Sequence, residues 1–406
     1  MSGFATRLFG HAVIALSMSS ALLLTGCGVG SSTPPQLQAI EQEDPASPVS
    51  AADSPAAFVY VSSTSSTNKI EINAFKLHSD GKLSRVPGSP FPTHTTYSAS
   101  MASGAEHLFF TNEVDIHSYS IAKNGSLQSS GSIDAQGLNQ ANCGGPAALF
   151  LDRTGATLYD WDIYSDCANN AYQFFDTAAS GQLNYIGVTS ASSPIFYVPL
   201  SFIGNNEYAY GASCYHWSQE IFGFRRTSDG TLTDLNLAPA MPTSRTGQMY
   251  CPFLAAADAT NHVAVHMQVL NSSSLQPAGP SQLATYTADI SGNLSTTSTY
   301  SNMPAVAVST VTDIAMSPSG KLLAVAGTGG LQVFHFNGAH PITTYTGRLT
   351  TDEVDHVAWD NADHLYAISS TAGQLFVFTI TPTSHTQAAG SPYAITKPWN
   401  IAVVPR

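Results

Sequence analysis

Ile221-Phe222-Gly223-Phe224-Arg225-Arg226-Thr227-Ser228-Asp229-Gly230-Thr231-Leu232 is the most legible stretch of this chain. An apolar strand written Ile-x-x-Phe runs into Asp-Gly, and a Leu two residues later opens another strand. Asp-Gly between apolar runs marks a tight hairpin, because the turn needs positive φ. The same phrase recurs along the chain. Its strand half appears as Ile72…Phe75, Ile116…Tyr119, Leu283…Tyr286, Leu331…Phe334 and Leu375…Phe378, with a degenerate copy at Tyr172 to Phe175. Its turn half appears as Asp80-Gly81-Lys82-Leu83, Asn124-Gly125-Ser126-Leu127, Ser180-Gly181-Gln182-Leu183 and Ser291-Gly292-Asn293-Leu294, and in part as Asn337-Gly338. Four short strands repeating at roughly 45–60 residues is the period of a β-propeller blade.

Seven copies fit between Ala57 and Arg406, so the sequence predicts an all-β, seven-bladed propeller. The first strands of the blades read as Ser98–Met101, Ala148–Leu151, Leu200–Ile203, Phe253–Ala256, Ile314–Met316, Val357–Trp359 and Ile401–Val404. The array opens with a second strand and ends with a first strand. The C-terminal strand is therefore expected to complete the first blade and close the ring, which removes free sheet edges.

Composition narrows the function classes. Only 10 % of the 406 residues are charged, and the formal net charge is −13 with 14 Lys plus Arg. No basic stripe exists to neutralise phosphates, so nucleic acid is not an expected partner. Arg7 followed by the thirteen apolar-run residues Ala12 to Leu24 is too short for a spanning helix and reads as a signal peptide. Leu24-Thr25-Gly26-Cys27 resembles a bacterial lipobox. That resemblance implies cleavage before Cys27, lipidation of Cys27 and, since Gly28 is not Asp, an outer-membrane address in a diderm cell. Residues 1–27 are thus expected to be a lipoprotein signal peptide, 28–56 a flexible linker and 57–406 the propeller. The linker is rich in Ser, Pro, Gln and acids and cannot offset its ordering entropy. A chain of that length spans about 30 Å.

Cys143, Cys167, Cys214 and Cys251 remain, an even number suited to an oxidising compartment. Of three possible pairings, Cys143–Cys167 with Cys214–Cys251 closes the shortest loops on one face. No C-x-x-C spacing argues for a thiolate metal site.

Pro87-Gly88-Ser89-Pro90-Phe91 and Gly390-Ser391-Pro392-Tyr393, with the repeats, resemble the seven-bladed lactonase-like propellers, a family that includes 6-phosphogluconolactonase-type enzymes and many envelope lipoproteins. The resemblance covers 57–406. It implies a site at the channel mouth built from His, Arg and Glu, often with a Pro-His pair before a first strand. At those positions blades six, seven and one hold Asp313, His356 and Asn400. His356 matches the His, but Val354 and Asp355 precede it where the family has Pro.

Three groups of residues are candidates for chemistry. His356 could act as general base with Asp313 orienting it, Asn400 beside them; as a plain channel lining the same groups would only hold water. Tyr215, His216, Trp217 and Glu220, with Arg245 and Arg225 as neighbours, could hold a sugar or lactone ring, or simply pack under a disulfide. Asp160, Asp162 and Asp166 could hold Ca²⁺ through oxygens, though the spacing is not an EF-hand. No other cofactor is expected. No G-x-S-x-G elbow, phosphate loop, H-E-x-x-H or dinucleotide fingerprint is present. Two functions follow: a monomeric, lipid-anchored binding or scaffold module of the cell envelope, taking a small molecule or an envelope protein, or a lactone hydrolase.

Overall fold

The computed structural model describes residues 55–97, 100–112, 114–138, 146–162, 171–190, 199–215 and 218–406. Cys143, Asp166, Cys167, His216 and Trp217 lie outside them, as do the signal peptide and nearly all of the linker.

Seven antiparallel sheets follow one another, each with its first strand at the ring centre. The inner strands are Ser100–Ser103, Pro146–Leu151, Ser201–Phe202, Gln248–Ala257, Val311–Met316, His356–Trp359 and Pro398–Pro405. The last of these belongs to blade one, where it pairs with Ala57–Thr64 in the register Phe58↔Val404 and Val61↔Ile401. The ring therefore closes as the sequence predicts. The second strands of blades two to seven are His107–Thr111, Thr157–Asp162, Tyr208–Tyr215, His262–Asn271, Leu322–Gly327 and His364–Ser369. Third strands carry the Ile/Leu-x-x-Phe/Tyr phrase: Ile70–Leu77, Asp115–Ile121, Ala171–Thr177, Ser218–Arg226, Gln282–Ala288, Gly330–His335 and Gln374–Thr381.

The recurrent Gly-containing turn has a structural reason. Tyr60, Tyr159 and Tyr210, buried on second strands, donate their hydroxyls to the carbonyls of Gly125, Gly230 and Gly292 in the following blade, at 2.9, 2.8 and 2.8 Å. Gly125 has φ of +85°, and a Cβ there would lie 2.4 Å from the Phe58 ring. Gly292 has φ of +84°, and a Cβ would lie 2.6 Å from Tyr208. The turn thus needs glycine twice over, for backbone hand and for close blade-to-blade approach. Burial pushes the Tyr60 and Tyr210 hydroxyls well above their ordinary range, so both stay donors.

Blades pack through apolar layers. Leu322, Ala324, Leu331 and Val333 of blade six meet Val357, Trp359, Leu365 and Phe376 of blade seven. The seven–one layer joins Tyr366, Ile368, Leu375 and Val377 to Val59, Val61 and Phe75, with Ile401 and Val403 against it.

The face opposite the expected site holds a polar network absent from the sequence reading. Arg226 pairs with fully buried Asp152 at 2.8 Å. Asn206 donates to the same carboxylate at 3.1 Å. Arg153 donates Nε to the Phe202 carbonyl at 2.7 Å and Nη2 to the carbonyls of Ala257 and Asp258. One turn of blade three is so tied to blades four and five.

Candidate functional site

The inner strands run the same way, so their first residues share one face of the ring. The repeated third-strand aromatics Phe378, Phe334 and Phe75 pair with Leu365, Leu323 and Val59, and these identify equivalent rungs: Trp359 faces Leu365, Met316 faces Leu323 and Val403 faces Val59. Three residues earlier stand His356, Asp313 and Asn400. The structure therefore sets these three at one level, near the mouth where the inner strands begin.

Two of the three are joined. Asp313 Oδ2 lies 3.5 Å from His356 Nδ1 and accepts the Val357 N–H at 3.0 Å. The imidazole is 43 % exposed and the carboxylate 28 %. Crowding by protein atoms pulls the His356 pKa down, but the Asp313 bond and the charges of Asp313 and Asp355 outweigh it, and the net shift is upward from 6.5. Asp355 is held by the Ser370 N–H at 2.6 Å. Asn400 is buried, and its N–H donates to Ser62 Oγ at 3.1 Å.

Asp313 also belongs to a set of links between neighbouring inner strands. Ser100 Oγ accepts Leu149 N–H at 3.0 Å, from blade two to blade three. Ser201 Oγ accepts Ala257 N–H at 2.8 Å, from four to five. At the rung where blade two uses Ser100, blade six uses a carboxylate. That substitution converts a structural link into a charged one beside an imidazole.

A residue the sequence reading passed over stands next to Asn400. Pairing shifts between Ser62↔Asn400 and Ser63↔Pro398, which leaves Trp399 as the extra residue of a bulge. Lys397, just before Pro398, has φ of +46°, a conformation unusual for a residue before proline. Trp399 is 37 % exposed, and its Nε1 donates to Thr64 Oγ1 at 2.7 Å. The only hint in sequence was an aromatic between Pro and Asn at the start of an inner strand.

The other candidates fall elsewhere. Cys214 and Cys251 form a disulfide, as the shortest-loop pairing predicts. Both lie inside strands rather than in loops, Cys214 on the second strand of blade four and Cys251 on the long inner strand of blade five. The bridge therefore ties two blades together. Cys143 and Cys167 lie outside the described residues. Glu220 sits opposite Ser213 on the hairpin that Tyr215 and Ser218 close. Arg225, read as a neighbour of this patch, instead pairs with Glu207 at 2.8 Å, at the opposite end of the hairpin. Arg245 lies before the inner strand of blade five with its guanidinium 3.7 Å over the Tyr300 ring. Asp160 is fully buried opposite Leu149, while Asp162 pairs by its backbone with Pro146, beyond a register shift in the same strand. Among the described residues no three His, Cys, Asp or Glu side chains gather as a metal set would.

With fold and mouth defined, the chain can be compared with known proteins. Its fold is that of a seven-bladed β-propeller like those of 6-phosphogluconolactonase-like structures. The chain is similar to a "putative 6-phosphogluconolactonase" from Bacteroides fragilis NCTC 9343, with 13 % identity, a TM-score of 0.61, and coverage of 88 % of this chain and 100 % of that one. A second "putative 6-phosphogluconolactonase", from Bacteroides uniformis, gives 12 % identity, a TM-score of 0.59 and coverage of 86 % and 100 %. Apo AztD from Citrobacter koseri gives 10 % identity, a TM-score of 0.51 and coverage of 86 % and 98 %. At these identities the likeness is one of fold. No protein-family model and no curated protein matches the chain.

Proposed function

We propose that this protein is a binding module of the cell envelope, tethered through lipidated Cys27, whose propeller holds a small polar ligand at the mouth near His356. The carrying observation is that the Asp313 carboxylate is already committed, to the Val357 N–H and to His356. A charged pair fixed in this way presents a pre-oriented imidazole. Its raised pKa lets the ring hold its proton further up the pH scale, where it can donate to a ligand oxygen. The lipobox-like Leu24-Thr25-Gly26-Cys27 supports the tether. A second reading, lactone hydrolysis, draws on the same pair: Asp313 at Nδ1 leaves Nε2 to act on water.

One experiment separates the two. The full chain is titrated calorimetrically with plain and phosphorylated aldonolactones and their open acids, while a pH indicator follows hydrolysis. Binding without turnover, weaker in His356→Ala, is the expected result. Turnover that His356→Ala abolishes would replace the binding reading with the hydrolase, and neither binding nor turnover would overturn both. Loss of membrane association in Cys27→Ala, read by fractionation, tests the tether.

A further inference from the structure

We infer that Asn337 is a site of self-modification, where the backbone nitrogen of Gly338 converts the carboxamide to a carboxylate, and that the fold holds the like pair Asn124–Gly125 intact. The inference is independent of the binding reading above. The chain has two Asn-Gly pairs, Asn124–Gly125 and Asn337–Gly338. Such a pair is open to attack because glycine has no Cβ to obstruct its own nitrogen as it approaches the preceding side chain. The Gly338 nitrogen bonds to Asn337 Cγ and the Cγ–Nδ2 bond breaks. Nδ2 leaves as ammonia, taking the proton that the Gly338 nitrogen gives up. Water then opens the cyclic imide at either carbonyl, giving aspartate or, with the main chain routed through Cγ, isoaspartate. No oxidant, cofactor or second protein enters the balance.

What separates the two pairs is how each turn is tied. In blades one to five the glycine N–H of the repeated turn donates to the carbonyl three residues back. These bonds run from Gly81, Gly125, Gly181, Gly230 and Gly292 to His78, Ala122, Ala178, Thr227 and Asp289, at 2.9, 2.9, 2.8, 3.0 and 3.0 Å. Blade six breaks the rule. Among the described residues the Gly338 N–H has no hydrogen-bond partner, and the turn is closed instead by His340 N–H on the Asn337 carbonyl at 3.2 Å. The second tie is missing too. Tyr60, Tyr159 and Tyr210 each follow the residue paired with the third-strand aromatic, and each grips a glycine carbonyl of the next blade. In blade five the residue after Val263, which pairs with Tyr286, is Ala264, and it has no hydroxyl to offer. Gly125 is buried and bonded at both ends, whereas Asn337 is exposed and Gly338 half-buried. The nucleophile is therefore locked in blade two and open in blade six. The product alters the seam between blades five and six. Asn337 Nδ2 donates to the Pro341 carbonyl at 2.8 Å, in the turn that leads to the fourth strand Thr343–Thr350. A carboxylate cannot make that bond. It also brings a negative charge beside Gly338, where a Cβ would lie only 3.2 Å from the His262 ring of blade five.

The test is incubation of the folded full chain at mildly alkaline pH, which favours loss of the amide proton. Digests are followed by mass spectrometry, with aspartate and isoaspartate peptides separated by chromatography. Asn337 should convert roughly ten-fold or more faster than Asn124, because reaction at Asn124 must first break two hydrogen bonds. In denaturant the two sites should convert at similar rates. Tyr60→Phe, which removes the grip on the Gly125 carbonyl and keeps the ring, should speed Asn124 about five-fold and leave Asn337 unchanged. Equal rates at the two sites in the folded chain, or no conversion at Asn337, would overturn the inference. A difference that persisted undiminished in denaturant would trace the contrast to the flanking residues and overturn the structural account.

Discussion

Removing Ile401 to Arg406 should open the ring. The deleted residues supply most of the inner strand of blade one, from Ile401↔Val61 to Pro405↔Ala57. Val404 is fully buried and Ala402 nearly so, while Ile401 and Val403 pack against the layer between blades seven and one. Burying one such aliphatic side chain contributes about 2 kcal/mol, so the three large ones amount to roughly 6 kcal/mol. Three further ties disappear: the Ser103 hydroxyl to the Val403 carbonyl at 3.1 Å, the Arg406 N–H to Ala56 at 3.0 Å, and the Arg406 guanidinium 5.1 Å over Phe58. Since a domain's net stability is about 5–15 kcal/mol, this loss approaches the whole margin. It also bares the inner edge of Ala57–Thr64 as an unpaired template for another chain. Thermal melting with light scattering, on the full chain and the truncated one, measures both effects. We expect a truncated protein that aggregates on or before unfolding. Val404→Ala, which removes part of one buried side chain, should lower the melting temperature by a few degrees without aggregation at rest. A truncated chain that stayed monomeric and melted with its parent would refute ring closure by this strand.

Three other perturbations test separate parts of the argument. The Cys214–Cys251 bridge spans 37 residues, and the chain-entropy model gives it about 4 kcal/mol; Cys214→Ser with Cys251→Ser should lower the denaturation midpoint accordingly, and no change would show that the bridge constrains nothing. Asp152→Ala strands Arg226 in a largely buried site and should cost about 3–5 kcal/mol, with the Asp152→Ala/Arg226→Met double variant less destabilised than the sum of the singles in urea unfolding. His266 is 4 % exposed with no hydrogen-bond partner on either ring nitrogen among the described residues, and burial pulls its pKa from 6.5 to about 4. The unfolded chain therefore binds the proton first as pH falls, so stability drops between pH 6.5 and about 4, by up to about 3 kcal/mol; His266→Leu should flatten that part of the pH–stability curve, and an unchanged slope would rule the residue out.

The fold was legible because its determinants are local and repeated. Gly125 and Gly292 are each required by their own turn and by the aromatic side chain of the preceding blade that closes on it. The same requirement recurs from blade to blade, and repetition turns it into a sequence signal. The Cys214–Cys251 pair was legible for a similar reason, since it closes a short loop between adjacent blades. The length of the strands was not: Tyr208–Tyr215 and Gln248–Ala257 run on through Cys214 and Cys251, where the reading placed loops. Pairing with the adjacent strand satisfies the backbone through both segments.

The mouth obeys a different logic, and this is why so little of it could be read. Function in a ring depends on residues that differ between blades at one level, so the repeat that reveals the fold conceals the site. Asp313 and His356 could be found by counting, because each lies a fixed number of residues before a recognisable strand end. Asp313 does the backbone work that Ser100 does elsewhere, and only its charge and its neighbour set it apart. Trp399 could not be found by counting, because a bulge displaces it from any regular position and the partner that fixes it, Thr64, is 335 residues away in sequence. The residues most worth testing in such a protein are therefore those where one blade breaks the rule its sisters keep. His356 and Trp399 do so from adjacent blades at the same mouth.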